Sequence, residues 1–356
     1  MIHLVHFSSS PGGIELQIPQ LIKEMGNDVV MSSFVIRPPL KNGFNIYANT
    51  GVTVKYGSKF NLTAICKLWI YAIGRGGDIF HVFNLGPYFL LVLRLAGVRK
   101  VVYSIRGTKY WRGTINKLII KPAWKLAFTE HQVFIANSFF SKFTFAKATG
   151  YRSNNVRVVY NPVASGRLEG RCRRKSTQSL NIIYVGRLVK GKNLFKWLDI
   201  AGTIRSKFPE AQFYLYGDGP LRKELQAYSN KLGLSDFVCF AGFKANIEEV
   251  YCNADLLLFL SEYESFGNVT VESILSGIPV IAAGIPAMKE IFSDFPEFIL
   301  ENDSEIEKNV IEKLENLDSL RALTEKAGKE FALRYSLNTH VNALKEIYHS
   351  LNEKIH

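Results

Sequence analysis

The chain is 356 residues long, 47% apolar and 21% charged, with 44 Lys/Arg against 31 Asp/Glu and a net charge of +13. That length exceeds one ordinary core and predicts two domains, while the balance of apolar to charged residues excludes a disordered chain. No apolar run reaches the roughly 18 residues that a membrane span requires; the best candidate, 79–98, is interrupted by His81, Asn84, Pro87 and Arg94.

Residues 1–160 alternate short apolar runs with amphipathic ones, at 2–7, 14–25, 29–36, 62–73, 78–83, 87–95, 100–105, 114–128, 132–136, 138–148 and 156–160. Strand and helix taking turns predicts a parallel sheet covered on both faces. Nothing basic precedes 1–7, so this run reads as a strand and not as a secretory signal, and the expected location is cytoplasmic. Ser8-Ser9-Ser10-Pro11-Gly12-Gly13 joins the first strand to the first helix, a position that faces the ligand crevice in doubly wound sheets. Gly12 and Gly13 alone mean no more than a tight turn. Further on, the run 100–105 empties into Arg106-Gly107. Loops at the carboxyl ends of such strands carry function more often than those at the opposite ends. Arg106 suits two roles there, orienting an acidic acceptor or capping neighbouring carbonyls.

From 163 to 179 the periodicity dissolves into polar, basic sequence ending GRLEGRCRRKSTQS, a linker. A second alternation follows at 181–185, 194–205, 212–216, 221–231, 237–240, 247–252 and 255–260, and from 318 onward the pattern is helical. The expected domains are therefore 1–162 and 180–335. Gly186-Arg187-Leu188-Val189-Lys190-Gly191-Lys192-Asn193 leaves the first strand of the second half. As G-x4-G-K it nearly matches the phosphate loop of nucleotide hydrolases, but Asn193 stands where a magnesium-binding hydroxyl belongs. Gly217-Asp218-Gly219-Pro220 reads as a structural turn in which proline opens a helix.

The segment 259–283, FLSEYESFGNVTVESILSGIPVIAA, reads as strand, loop, helix and strand. Glu264 lies in the loop and Glu272 about one turn into the helix, with Phe266-Gly267 at the junction. A helix start offers unpaired N–H groups and positive potential to a phosphate, and Gly267 permits close approach. Ionised carboxylates accept hydrogen bonds from paired hydroxyls. The combination suits a ligand carrying hydroxyls and phosphate; acidic residues near the start of an ordinary surface helix would look the same.

Four cysteines lie far apart without a C-x-x-C pair, predicting neither a disulfide framework nor a zinc site, with Cys239 and Cys252 as small core residues. There is no H-E-x-x-H, G-x-S-x-G or D-x-D, so metalloprotease, hydrolase and metal-dependent transferase readings lack their residues.

The stretch ESFGNVTVE followed by SILSGIPVIAA resembles the donor-site signature of the retaining GT-B glycosyltransferases of family 4, the group 1 glycosyltransferases. That resemblance implies an α/β GT-B fold: two Rossmann-like, doubly wound parallel-sheet domains facing a central cleft, with the C-terminal helix (within 336–356) crossing back to the first. It reads 186–192 as G-R-L-x-x-x-K, with Arg187 and Lys192 holding the donor pyrophosphate beside Ser265, Phe266, Gly267 and Asn268. It assigns Glu264 to donor-sugar hydroxyls, Glu272 to the ribose, the Gly242-Phe243-Lys244 loop to the base, and Gly12 and Gly13 to the border of donor phosphates and acceptor. Many members carry a histidine where Arg106 aligns, which leaves the acceptor-side catalytic residue unassigned. The implied reaction retains configuration, uses a UDP- or GDP-sugar as substrate without metal or cofactor, and lets the departing phosphate take the acceptor proton. The implied acceptor is a glycan or lipid-linked glycan of a bacterial-type surface polysaccharide.

Rival readings are a nucleotide-sugar epimerase or a phosphorylase on the same architecture, disfavoured by the signature and by the absence of a cofactor-lysine context. Charge suggests a third. Residues 1–160 hold 20 Lys/Arg and 5 Asp/Glu, a surplus of +15, whereas the remainder holds 24 and 26, a balance of −2. A basic half suits nucleic acid, yet no binding motif accompanies it, and no nucleic-acid partner is expected. A solvated face explains the surplus, as does an anionic membrane surface on the cytoplasmic side, to which Lys and Arg are attracted. Between 109 and 147 the basic residues are interleaved with Tyr110, Trp111, Trp124, Phe128, Phe139, Phe140, Phe143 and Phe145, a mixture suited to a headgroup boundary.

Overall fold

The computed structural model describes residues 1–8, 17–25, 30–37, 47, 52–58, 61–107, 114–163, 179–244, 246–301 and 303–353. The chain divides into two units, the first formed by Met1–Pro162 with Leu337–His356 and the second by Val163–Ser336.

Unit 1 is built on a seven-stranded, all-parallel sheet of β1 (Ile2–Ser8), β2 (Met31–Arg37), β3 (Thr53–Tyr56), β4 (Ile79–Phe83), β5 (Lys100–Ile105), β6 (Gln132–Ala136) and β7 (Val156–Val158), in the order β3-β2-β1-β4-β5-β6-β7. The central strands are buried along nearly their whole length, as expected when helices cover both faces. On one face lie α2 (Asn61–Ala72), α3 (Pro87–Leu95), α4 (Thr114–Ala127) and α5 (Phe139–Thr149), packing Leu68, Leu90, Trp124 and Phe145 against Phe34, Phe80 and Phe134. On the other face lie α1 (Gln17–Met25) and the returning C-terminal helix α13 (Leu337–Glu353), which packs Val341, Leu344, Ile347 and Leu351 against Ile18, Leu21 and Val102. The candidate span at 79–98 is β4 followed by α3, and among the described residues no helix is long and apolar enough to cross a membrane.

Unit 2 has a six-stranded parallel sheet of β8 (Leu180–Val185), β9 (Ala211–Tyr216), β10 (Val238–Gly242), β11 (Leu256–Phe259), β12 (Val280–Ala283) and β13 (Ile299–Leu300), in the order β10-β9-β8-β11-β12-β13. Its helices are α6 (Leu194–Lys207), α7 (Arg222–Lys231), α8 (Ile247–Cys252), α9 (Asn268–Leu275), α10 (Pro286–Ile291), α11 (Ile306–Glu315) and α12 (Leu317–Arg334). Strand order reverses between β8 and β11, and in doubly wound sheets the loops leaving the carboxyl ends at such a switch point form the ligand crevice.

Two edge strands escape the periodicity. β3 is four residues long and alternately exposed, and β13 has only two residues, too short for a pattern. The helical tail breaks at Tyr335-Ser336 into α12 and α13. Cysteine reading is corrected in two places: Cys239 is free and exposed, not a core residue, and Cys252 is disulfide-bonded. Most of the linker, 164–178, lies outside the described residues.

Candidate functional site

The switch point of unit 2 brings together Lys192, Glu264 and the start of α9. β8 ends in Tyr184-Val185, and the chain turns through Gly186 into the loop that carries Arg187 and Lys192 before α6 begins. Backbone bonds hold this loop against its neighbours: Gly186 N–H donates to Tyr216 O (2.9 Å), Leu188 N–H to Asp218 O (2.9 Å) and Leu221 N–H to Leu188 O (3.1 Å). Gly217 N–H in turn donates to Gly242 O (2.8 Å), so the loops after β8, β9 and β10 are laced in sequence. The turn at 217–220 thus buttresses the 186–193 loop.

β11 supplies the other side. Glu262 N–H donates to Gly191 O (3.0 Å), which brings the 260–267 loop onto the lysine-bearing loop. Gly191 has φ +87°, and any side chain there would run into the ring of Tyr263. A glycine is therefore required twice over, for its backbone region and for space. The contact places Glu264 Oε1 in an ion pair with Lys192 Nζ, both side chains about four-fifths buried at 18% and 21% exposure. The Lys192 ammonium also lies 5.8 Å from the centroid of the Phe259 ring.

Gly267 opens α9 with φ +109° and ψ +53°, and a Cβ at this position would collide with the Met288 methyl. Its carbonyl accepts from Thr270 N–H (3.0 Å) and Thr270 Oγ1 (2.8 Å), which fixes the first turn. Phe266 is 1% exposed and packs edge-on against Tyr335, ring centroids 5.5 Å apart, so its ring belongs to the core and only its backbone faces the turn. Glu272 stands further along α9, where its Oε2 accepts from the buried Tyr251 hydroxyl at 3.0 Å. Burial raises the Glu272 carboxyl above the ordinary glutamate range, partly offset by the Tyr251 hydrogen bond. Burial, with the Glu272 charge adding to it, pushes the Tyr251 phenol well above its usual value.

Tyr184 and Tyr251 bond to two of the candidate site residues and were missed by sequence reasoning. The Tyr184 hydroxyl donates to Arg187 O (3.0 Å), anchoring the arginine's backbone. Burial, assisted by the nearby Glu264 charge, raises its phenol far above 10, so it acts as a donor. No spacing rule joins a strand tyrosine to a residue three positions on, or Tyr251 on α8 to Glu272 on α9. The Arg187 side chain is exposed, as is Phe243 at 65%. Ser265 follows Glu264 in the loop and Asn268 is the first residue of α9, while Gly12 and Gly13 fall outside the described residues.

Arg106 belongs to unit 1, at the carboxyl end of β5. Its Nη1 donates to Gln17 Oε1 (2.6 Å) and Asn161 Oδ1 (2.5 Å), its backbone N–H donates to Asn84 Oδ1 (3.1 Å), and its guanidinium lies 5.7 Å from the Phe83 ring centroid. The side-chain amides of Gln17 and Asn161 orient its guanidinium. Burial and the Arg106 charge together hold His340 down at about 3, and the same two causes keep the fully buried His81 well below its ordinary value.

Two doubly wound parallel-sheet units, the first of which includes the C-terminal helix, are the GT-B fold of glycosyltransferases. The structure of Anabaena HepE in complex with UDP-glucose superposes with a TM-score of 0.78 over 98% of this chain and 99% of that one, at 20% identity. Residues 173–331 match the family described as glycosyl transferases group 1. A protein of the cps region of Klebsiella pneumoniae is 30% identical over 322 residues, 84% of this chain and 81% of that relative. The Vi polysaccharide biosynthesis protein VipC/TviE of Salmonella typhi is 26% identical over 256 residues, 67% of this chain but only 43% of that longer relative. The chain belongs to the group 1 glycosyltransferases.

Proposed function

We propose that this protein is a retaining, family 4 glycosyltransferase that moves a sugar from a nucleotide-diphosphate donor to a hydroxyl of a glycan or lipid-linked glycan during surface-polysaccharide assembly. The observation that carries the proposal is the convergence of Lys192 and Glu264 at the switch point of unit 2, next to the start of α9. Leaving-group departure builds negative charge on a diphosphate. Arg187, Lys192 and the N–H groups at Gly267 and Asn268 are fixed positive groups that stabilise this charge where it develops, so that no metal ion is needed. Glu264 takes donor-sugar hydroxyls, and Glu272, steadied by Tyr251, takes the ribose diol. In the free protein Lys192 and Glu264 satisfy one another; a bound donor replaces that pair with diphosphate on the lysine and hydroxyls on the glutamate. The departing phosphate accepts the acceptor proton, and Arg106 is the acceptor-side candidate in unit 1.

Three similarities support the donor and pathway classes: HepE binds UDP-glucose, one relative is encoded in a cps region, and another is named for Vi polysaccharide biosynthesis. We place the enzyme in the cytoplasm, peripheral to the inner membrane, in keeping with the basic surplus of residues 1–160. The test is a melting scan with UDP, GDP and ADP in EDTA. Ligand binding to the native state raises the melting temperature by mass action, so one nucleotide should shift it. No shift with any of the three would refute the donor assignment.

A further inference from the structure

The layer formed by α2, α3, α4 and α5 presents an outer surface that a helix facing water does not need. A surface helix normally turns a polar face outward, yet α2 is apolar on both sides. Ala64, Leu68 and Ala72 point into the core at 0% exposure. On the other side Leu62, Trp69 and Ile70, with Ile73 just past the helix end, are 75%, 44%, 64% and 47% exposed, and Cys66 lies exposed among them. At about 100° per residue these five positions fall within roughly 100° of arc, one continuous stripe. The adjoining helices α3, α4 and α5 also expose apolar side chains, Leu95, Leu126 and Phe143, at 78%, 65% and 57%.

Charge on this layer has one sign. No Asp or Glu occurs in α2, α3, α4 or α5, whereas α1 and α13 on the opposite face carry Glu24, Glu346 and Glu353. Lys67, Arg94, Lys125 and Lys147 are exposed on the acid-free layer. The Lys142 ammonium lies 5.7 Å and 6.0 Å from the Phe139 and Phe143 ring centroids, a cation held over aromatics that themselves face outward. Of the aromatics between 109 and 147, Trp124 and Phe145 are core residues at 2% and 0% exposure, Phe128 packs against that core, and Tyr110 and Trp111 lie outside the described residues.

We infer that the outer surface of this helical layer docks on an anionic lipid bilayer, α2 lying in the headgroup region with its apolar stripe toward the acyl chains. A bilayer offers both things the surface lacks, an apolar boundary and negative headgroups. A second copy of the chain would set cations against cations, and duplex nucleic acid would leave the stripe in water. The inference rests on the reading of a membrane-borne acceptor and gives it a location, the face of unit 1 opposite α1 and α13.

The test is sedimentation of the full chain with vesicles of phosphatidylcholine alone or mixed with phosphatidylglycerol, read beside the nucleotide melting scan. The protein should pellet with the anionic vesicles, less with the neutral ones, and be released by salt as screening shortens the attraction. Trp69→Ser/Ile70→Ser should weaken vesicle binding about tenfold by removing inserted apolar area, and Lys125→Gln about fivefold. Both variants change exposed residues and should keep the wild-type nucleotide shift. Equal pelleting on both vesicle types, none on either, or wild-type pelleting by the α2 variant overturns the inference. So does a concentration-dependent dimer abolished by that variant in the absence of vesicle binding. Nucleotide shift without vesicle binding defeats this inference alone, and vesicle binding without nucleotide shift defeats the donor assignment alone.

Discussion

All seven histidines of the chain lie in unit 1, counting its C-terminal helix, and residues 163–336 contain none, although both units are doubly wound parallel sheets. In unit 1 imidazoles bond elements together inside the fold. His81 meets Tyr348 Oη (2.6 Å) on α13 and Ser104 Oγ (2.7 Å) on β5; His340 Nδ1 meets Tyr160 O (2.7 Å); His3 meets Ser32 Oγ (2.6 Å), Tyr71 Oη (2.8 Å) and Asp78 Oδ2 (3.0 Å). Unit 2 does the same work with tyrosine hydroxyls, carboxylates and glycine-permitted backbone bonds: Tyr184 on Arg187 O, Tyr251 on Glu272, and the buried Asp255 accepting Asn181 N–H (2.7 Å) and pairing with Arg321 (3.1 Å). The same architecture thus has a histidine-bonded frame in one unit and, in the other, loops joined by backbone bonds and the Lys192–Glu264 ion pair.

The largest effect that would sharpen this contrast belongs to unit 2. Lys192→Ala should reduce transfer by about 10²- to 10³-fold, the cost of deleting one preorganised charge-stabilising group, while hydrogen exchange in unit 1 stays unchanged. A loss of protection in β4 and α13 would instead mean that the two units are not separable in this way.

Next are the two carboxylates, expected to fail differently. Glu272→Ala should weaken UDP or GDP binding by about 1.5–3 kcal/mol, the scale of a charged hydrogen bond; Glu264→Ala should impair turnover and leave free nucleotide binding nearly intact. Titration calorimetry giving equal losses for both would contradict the division of roles. Because Glu272 titrates above the ordinary glutamate range, acidification should weaken nucleotide binding before that range is reached, and Glu272→Gln should flatten the profile.

Mild acid should lower the stability of unit 1 more than that of unit 2, through two buried histidines. His340 and His81 are held neutral in the fold, His340 down at about 3, against about 6.5 unfolded. Between those values the unfolded state binds more protons, so stability is complete above about pH 6.5 and falls as pH drops through the window. At about pH 5 the loss is ~2 kcal/mol for His340, and His81 adds to it in the same direction. Hydrogen exchange at neutral and mildly acid pH, corrected for intrinsic rates, should show protection lost in β4, β5 and α13 and kept in β8 and β11. Equal loss in both units would break the comparison.

The smallest effect tests one bond of the frame. Tyr348→Phe removes the hydroxyl that links α13 to His81 and leaves a buried ring nitrogen with that partner gone, a cost of ~1–2 kcal/mol. Urea unfolding of the full chain should show it as an earlier transition of unit 1, with nucleotide affinity unaffected.

Local pattern alone carried much of this protein. Alternating strand and helix runs specify doubly wound sheets because a parallel strand buried on both faces must be apolar throughout and must be followed by a crossover helix. Gly186 to Lys192 and Glu264 to Glu272 were legible because the first concentrates glycines and cations in a short span and the second contains a helix start, which marks itself by its turn. What pairs with what was left to the tertiary structure. The Lys192–Glu264 ion pair spans 72 positions and the His81–Tyr348 bond 267, and no periodicity records contacts at that separation. The same holds for Phe266 and Trp124, whose rings turned inward, and for the α2 stripe, whose residues turned outward: an apolar residue shows in sequence that it avoids water, but only the packed neighbours decide whether the fold or another surface covers it.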